Sequence, residues 1–399
     1  MEIMTRSLAA AGASSRGYET DAWVIYAGGP RDTSHAELVR ERIEIDPLGP
    51  GEVLVEPLYG CWEGNMGHAI ERSPVDICRM RREKRVVLGN AGVVRVVELG
   101  PEVKGVAPGD VAMLFASGEQ DRVGYMKKAL GFDAAGQAGM LAKRTKLRED
   151  QLIVLPPNNG FSLPQWAAFS VRYVTAWSNW ELAYGVFRLQ MTAEDCPRPY
   201  VWGWGGGTTL AELDLAQRFG CDAVMISGTD VNIDLIKKCG IEMIDRREYP
   251  NLLLDQERFD ADATYRESHN RSKREFVQRV TERTNGELVH IFLDYLGPPV
   301  YQLTLRLLAR QGVIATAGWK EGRDVSHSRS QECIMRHQHI YTHYARRSQA
   351  EAAISYAIKT GWMPQVDERV YSFDEIPELG QRYLQGDTHY FSCYSINPT

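Results

Sequence analysis

The densest chemical signal in the chain is a cluster of glycines. Val201-Trp202-Gly203-Trp204-Gly205-Gly206-Gly207-Thr208-Thr209 joins a strand-like run, PYVWGW, to an amphipathic run, TTLAELDLAQRFG. Glycines at a strand-to-helix turn let the backbone approach a pyrophosphate, and the N–H groups and positive dipole of the helix start hold the charge. Gly203, Gly205, Gly206, Gly207 and Thr208 are the candidates for that contact. Thr209 stands where a third glycine allows helix and strand to pack closely, and its hydroxyl is expected to cap the helix or donate to a phosphate. The next strand-like run ends about 20 residues on, at Ser227-Gly228-Thr229. An acidic residue at that tip would grip a ribose 2′-OH and repel a 2′-phosphate, whereas Ser227 is small and neutral. Asp230 follows closely, and Lys237, with Arg218 and Lys238, supplies the nearest cations. The cofactor expected is NADPH in preference to NADH, with Ala317, in the run VIATAG, as a further cofactor-binding candidate.

The other reactive side chains give weaker patterns. His337, His339 and His343 crowd one segment, but ligands on one face of a strand are spaced about 7 Å apart, so no metal site is expected. The seven cysteines include no CxxC pair, which argues for reduced thiols in a cytoplasm over disulfides or a structural zinc. A net charge of -6 offers no field for a nucleic-acid backbone, and no run reaches the roughly 18 apolar residues of a membrane helix. With 399 residues, 44% hydrophobic and 25% charged, the chain has the length of two globular domains and the composition of an enzyme in solution.

The elements that must position these residues fall into two textures. From Asp21 to about Leu155, AWVIYA, GEVLVEPLYG, RVVLGNAGVVRVVELG and DVAMLFA are short β runs broken by Gly and Pro, a barrel-like β unit. LPQWAAFSVRYVTAWSNWELA is then a long helix with Trp166, Phe169, Tyr173 and Trp177 as its core face. After Pro197 strands and helices alternate, which describes a doubly wound parallel sheet; a helix is expected around 301–312 and a strand over HIYTHY. The tail from Ala350 returns to the first unit.

A β-rich half, an inserted nucleotide fold and a C-terminal return resemble the medium-chain dehydrogenase/reductase superfamily. EVLVEPLYG followed by VVLGNAGVVRVVELGPEVKGVAPGD follows its N-terminal pattern. The resemblance implies an α/β fold, a GroES-like catalytic domain (21–170 and 345–399) with an inserted Rossmann-type doubly wound sheet (171–344), after a loose arm over 1–20. Where zinc-dependent members carry their ligands, this chain has Glu63, Asn90 and Ala91, and FSVRYVT offers neither Cys nor His, so no zinc is expected. Among zinc-free branches the chain resembles crotonyl-CoA carboxylase/reductases and related enoyl-thioester reductases. The run Gly312–Tyr344 ends in that family's characteristic His, and Gly131-Phe132-Asp133 resembles its Gly-Phe-Glu.

The resemblance implies NADPH-dependent reduction of an α,β-unsaturated acyl thioester, with a proton or CO2 captured at the α-carbon. Asn65 and His343 would make polar contacts, Asp133 would orient His343 or a water, and Phe132 would shield the nicotinamide. Two departures bear on carboxylation: Asp133 is one methylene shorter than Glu, and Glu63 adds a negative charge nearby. Read from the residues alone, His343 is equally a core histidine, Asn65 a turn residue, Phe132 core and Asp133 a turn partner of Gly131. Tyr59 and Tyr125 are open as proton donors. Arg323, Arg329, Arg336, Arg346 and Arg347 could meet the phosphates of a thioester carrier, although they equally suit a solvated rim. The alternatives are a reductase of a free enone, quinone or natural-product intermediate, and a non-redox scaffold that has lost its cofactor. A homodimer is expected through the strand pair VHIFLDYLG and VIATAG.

Overall fold

The computed structural model describes residues 17–29 and 34–397. Residues 1–16 of the expected arm lie outside that range, and Tyr18 already opens strand β1 (Tyr18–Tyr26). β1 pairs antiparallel with β2 (Val39–Ile45) and with β4 (Arg85–Val87). The larger antiparallel sheet is built on β3 (Glu52–Cys61) and β5 (Gly92–Leu99). β6 (Val111–Leu114) and β10 (Leu152–Val154) extend one side, and β9 (Thr145–Arg148) also pairs with β3. β7 (Ser117–Gln120) and β8 (Met126–Ala129) form a separate ribbon. Two short helices, α1 (Gly64–Glu71) and α2 (Ile77–Arg81), lie between β3 and β4 in the chain.

The texture changes at α3 (Leu163–Gln190), which runs without a break through residue 171. Its start is specified locally: Ser162 accepts from the Gln165 N–H, Gln165 answers to the Ser162 N–H, and Pro164 fills the first turn, where its missing N–H costs nothing. Trp166, Phe169 and Tyr173 are buried and Trp177 packs on the same cluster, so these aromatics are helix core as expected.

Beyond α3 stands a six-stranded sheet in the order β13 (Glu242–Asp245), β12 (Asp222–Ser227), β11 (Tyr200–Trp204), β14 (Val289–Asp294), β15 (Leu308–Thr316), β16 (Gln338–Tyr341). Every neighbouring pair is parallel. Its connections run through α4 (Gly207–Arg218), α5 (Asp230–Lys238), α6 (Gln256–Ala261), α7 (Ala263–Arg283), α8 (Pro298–Leu307) and α9 (Arg329–Met335). Strand order reverses between β11 and β14, and at such a switch point a doubly wound sheet opens its crevice. The chain then passes through α10 (Arg347–Thr360), β17 (Val370–Tyr371) and α11 (Ile376–Leu384). Finally β18 (Cys393–Ser395) pairs with β3, Cys393 opposite Cys61, so the α/β unit is an insertion between two parts of the β-rich sheet.

Two local expectations change. The helix expected over 301–312 ends at Leu307, and β15 begins at Leu308; Gln311 adopts a φ of 65°, which no α-helix accepts. The strand expected over HIYTHY stops at Tyr341, so His343 does not alternate with His339 and Tyr341 on one strand face. β14 and β15, the strand pair expected at a subunit contact, are interior strands of this sheet, and β16 forms its edge.

Candidate active-site cleft

The glycine-rich turn sits at the C-terminal end of β11 and opens onto α4, a helix of 12 residues. Gly205 has a φ of 150°, and a Cβ there would lie 2.2 Å from the Thr209 hydroxyl, so only glycine fits. Thr209 is fully buried and donates to the Trp204 carbonyl at 3.3 Å. It neither caps the helix nor faces a phosphate, which corrects its expected role. The outward N–H groups of the first turn of α4 are those left for an anion.

Ser227 ends β12 as expected, followed by Gly228 and the α5 N-cap Thr229. Lys237 lies in the last turn of α5, about 10 Å along the axis from its start, so it is not the cation at this tip. Arg246 is. Its Nε lies 2.6 Å from where a Cβ on Gly228 would stand, and it has no carboxylate partner among the described residues. The neighbouring Arg247 pairs with Asp230 at 2.7 Å and Asp245 at 2.6 Å, which removes the negative charge that obscured the tip. This set suits a dinucleotide carrying a 2′-phosphate. One side chain lies over it: the Tyr390 hydroxyl donates to the Gly205 carbonyl at 3.2 Å and lies 3.2 Å from Ser227 Oγ. The Tyr390 N–H donates to Asn232 Oδ1 at 3.1 Å, and burial raises the phenol pKa.

Ala317 follows β15 and is half-buried. Tyr295, just past β14, sets its Cβ against Gly205 and its ring against Gly318. Its hydroxyl accepts from Asn179 Nδ2 at 3.2 Å, and Thr342 donates to Asn179 Oδ1 at 2.8 Å. Fully buried Glu212 lies against this group, and desolvation raises its pKa well above the usual carboxylate value.

At the other end of the cleft, Gly131 has a φ of 64°, and a Cβ there would meet the Gly89 carbonyl at 2.3 Å. The residue that opens the Phe132-Asp133 turn is therefore packed on the backbone of Gly89. Asp133 Oδ1 accepts from the Ala129 N–H at 2.6 Å, and no hydrogen bond joins it to His343 among the described residues. Its charge acts on His343 and Tyr344 through space. His343 is exposed, its ring stacked on Trp319 at 5.2 Å and 3.8 Å from the Tyr344 ring. Partial desolvation holds its pKa below the ordinary histidine value. Phe132 packs on the core of the β-rich unit. Asn65, second residue of α1, has a buried Oδ1 without a partner and makes no hydrogen bond to Asp133 or His343 among the described residues. The four residues expected to form one pocket are thus not joined by hydrogen bonds.

Tyr344 and Asn90 line a small cavity against α3, with apolar walls from Phe115, Met126, Val171 and Val174. Burial and the Asp133 charge raise the Tyr344 pKa, so the phenol keeps its proton. Of the five arginines in the basic cluster, Arg346 adjoins the cavity-lining Ala345 and covers the ring of Tyr125 at 4.8 Å. Deeper in, Arg172 donates to Glu63 at 3.0 Å and to the Trp62 carbonyl at 2.5 Å. Burial pushes the Glu63 carboxyl up to about 7 against the pull of Arg172. A carboxylate already paired with a guanidinium and an uncharged amide do not suit zinc, which needs three deprotonated donors. Among the described residues no cluster of His, Cys, Asp or Glu could hold a metal ion, and no helix is long and apolar enough to cross a membrane.

No family model matches the chain, and no curated protein matches it. Solved structures do. The chain is similar to a 2-octenoyl-CoA carboxylase reductase, CinF, in complex with NADP and 2-octenoyl-CoA (17% identity, TM-score 0.75, covering 95% of this chain and 88% of that one). It is similar to the crotonyl-CoA carboxylase/reductase AntE in complex with NADP (18%, 0.74, 98% and 98%). An NAD-dependent alcohol dehydrogenase matches as well (21%, 0.70, 95% and 100%). The chain has the fold these solved structures share.

Proposed function

We propose that the protein is an NADPH-dependent, zinc-independent reductase of α,β-unsaturated acyl thioesters. The observation that carries this reading is a glycine-rich helix start with Ser227 and Arg246 at the tip of the next strand, Arg246 having no carboxylate partner among the described residues, together with a protonated phenol, Tyr344, lining a small cavity against α3. The two CoA-related neighbours in complex with NADP support it. Gly205, Gly206, Gly207 and the α4 N-terminus would hold the pyrophosphate, and Arg246 with Ser227 the 2′-phosphate. When bound, the reduced nicotinamide supplies a hydride to the β-carbon of a polarised alkene. The chain's own task is to orient the alkene, support the enolate oxygen and return a proton to the α-carbon. Tyr344 is assigned as that donor, and Arg346 as the cation at the cavity mouth.

Protonation is preferred to CO2 capture, because Asp133 is engaged by its own turn. The test is NADPH oxidation with crotonyl-CoA against a panel of free enones, with and without bicarbonate. Thioester turnover with no added carboxyl mass is expected; turnover of free enones alone moves the assignment to the enone alternative, and a carboxylated product overturns the preference for protonation.

A second reading is favoured by Tyr390: a non-redox scaffold whose nucleotide turn is occupied by its own chain. NADPH titration that fails for wild type and is restored by Tyr390→Ala would establish it. A reducing, cytoplasmic setting fits the buried thiols of Cys78 and Cys221, whose pKa values are pushed up to about 12. A homodimer through the open edge of β16, beside exposed Ile334 and Tyr341, is proposed, and light scattering at micromolar protein checks it.

A further inference from the structure

Asn90 stands out among the buried polar residues. It is 1% exposed, yet neither its amide nitrogen nor its amide oxygen has a hydrogen-bond partner among the described residues. Both atoms belong to a residue lining the cavity of about 20 Å³ shared with Tyr344, room for about one small polar group. Leaving a buried amide without hydrogen bonds is costly, so packing alone would favour leucine, which has almost the same shape. Nor does the backbone use the side chain. Asn90 precedes β5, the Gly89 carbonyl accepts from Met140 N–H, and the Gly92 N–H is answered by Ser170.

We propose that Asn90 receives the carbonyl oxygen of the substrate, its Nδ2 donating as negative charge gathers there; this rests on the reading of the cleft as a site for conjugated acyl thioesters. Three features of the cleft converge on that assignment. Gly131, which opens the Phe132-Asp133 turn, packs on the carbonyl of Gly89, the residue before Asn90, and Tyr344 lines the same cavity as Asn90. The apolar walls lower the local dielectric and strengthen a hydrogen bond made inside them. Asp133 points its carboxylate at the Ala129 N–H, which leaves the neutral amide as the group able to face a developing oxyanion without repulsion.

The experiment uses the full-length protein and a ligand that cannot be reduced, butyryl-CoA labelled with ¹³C at the thioester carbonyl. Its infrared carbonyl band should move to lower wavenumber on binding wild type and return to the solution position with Asn90→Leu. Thermal unfolding controls for damage to the fold: Asn90→Leu should unfold at or above the wild-type Tm, and Asn90→Ala serves where Asn90→Leu does not fold. With crotonyl-CoA, Asn90→Ala should lose about a hundredfold in kcat/KM, mostly in kcat, with NADPH affinity unchanged. An unshifted band in wild type, or a shift that both variants retain, overturns the assignment. Because the band needs no turnover, a shift that depends on Asn90 without NADPH oxidation would sink the reductase reading and spare this one. Turnover with an Asn90-independent band would do the reverse.

Discussion

The two ends of the cleft are finished in opposite ways. At the nucleotide end the chain has satisfied itself: Thr209 is bonded to Trp204, Asn232 to Tyr390 and Thr229, and Tyr390 to Gly205 and Ser227. At the substrate end Asn65 Oδ1, both amide atoms of Asn90, Glu63 Oε1 and Trp62 Nε1 are buried without a hydrogen-bond partner among the described residues. Buried polar groups in folded proteins are nearly all paired, so the unpaired amide of Asn90 on the cavity wall marks a place that a ligand can complete. The same logic makes the nucleotide end a site that must first be vacated. One end waits for its ligand; the other has to be won from a side chain.

The largest effect tests the substrate end. Tyr344→Phe removes the phenol proton and should lower kcat with crotonyl-CoA by about a hundredfold or more, with NADPH affinity unchanged by fluorescence titration. Next, Arg246→Ala should weaken NADPH binding by about thirtyfold and leave NADH binding as it was, because the charge-assisted bond to the 2′-phosphate is lost. An equal loss for both cofactors would detach Arg246 from the tip. Tyr390→Ala should act in the opposite direction and tighten NADPH by about tenfold, since two hydrogen bonds no longer compete; looser binding would mean that the tyrosine belongs to the site it covers.

A subtler contrast lies in Glu63. Its folded-state pKa is raised above the ordinary value of 4.5, so its stabilising contribution is complete below pH 4.5 and is lost as pH rises through about 7. Thermal unfolding should therefore show Glu63→Gln gaining on wild type as pH climbs across that window, and a pH-independent difference would refute the burial argument. The smallest effect is expected at Thr209→Ser, which keeps the hydroxyl bond to Trp204 and should leave NADPH affinity within about twofold.

Much of the fold was legible because periodicity is a local property. The strands of GEVLVEPLYG and PYVWGW and the core face of α3 follow from alternation and helical spacing, and the glycine turn from its strand-to-helix context. The site was legible only in part, because its contacts are tertiary. Arg246 follows β13, and only the parallel pairing of β13 with β12 brings it beside Gly228, so the sequence pointed instead to Lys237 on the adjoining helix. Tyr390 lies 163 residues from Ser227, and no spacing rule connects them. Asn90 was visible as the residue standing at a zinc-ligand place, but its burial and lack of partners needed coordinates. His343 was placed on a strand because HIYTHY is β-rich, whereas the pairing with β15 ends at Tyr341.

The C-terminal return has a mechanical side. Tyr390 rests on the nucleotide turn, and Ser392, its neighbour but one, accepts the Trp62 N–H at 3.0 Å, beside the Glu63–Arg172 pair. Cys393 and Ile396 then lace into β3, and Asn397 grips the carbonyls of Pro57 and Lys143. So short a tether ties the side chain that rests on the glycine turn to the strand that floors the other unit.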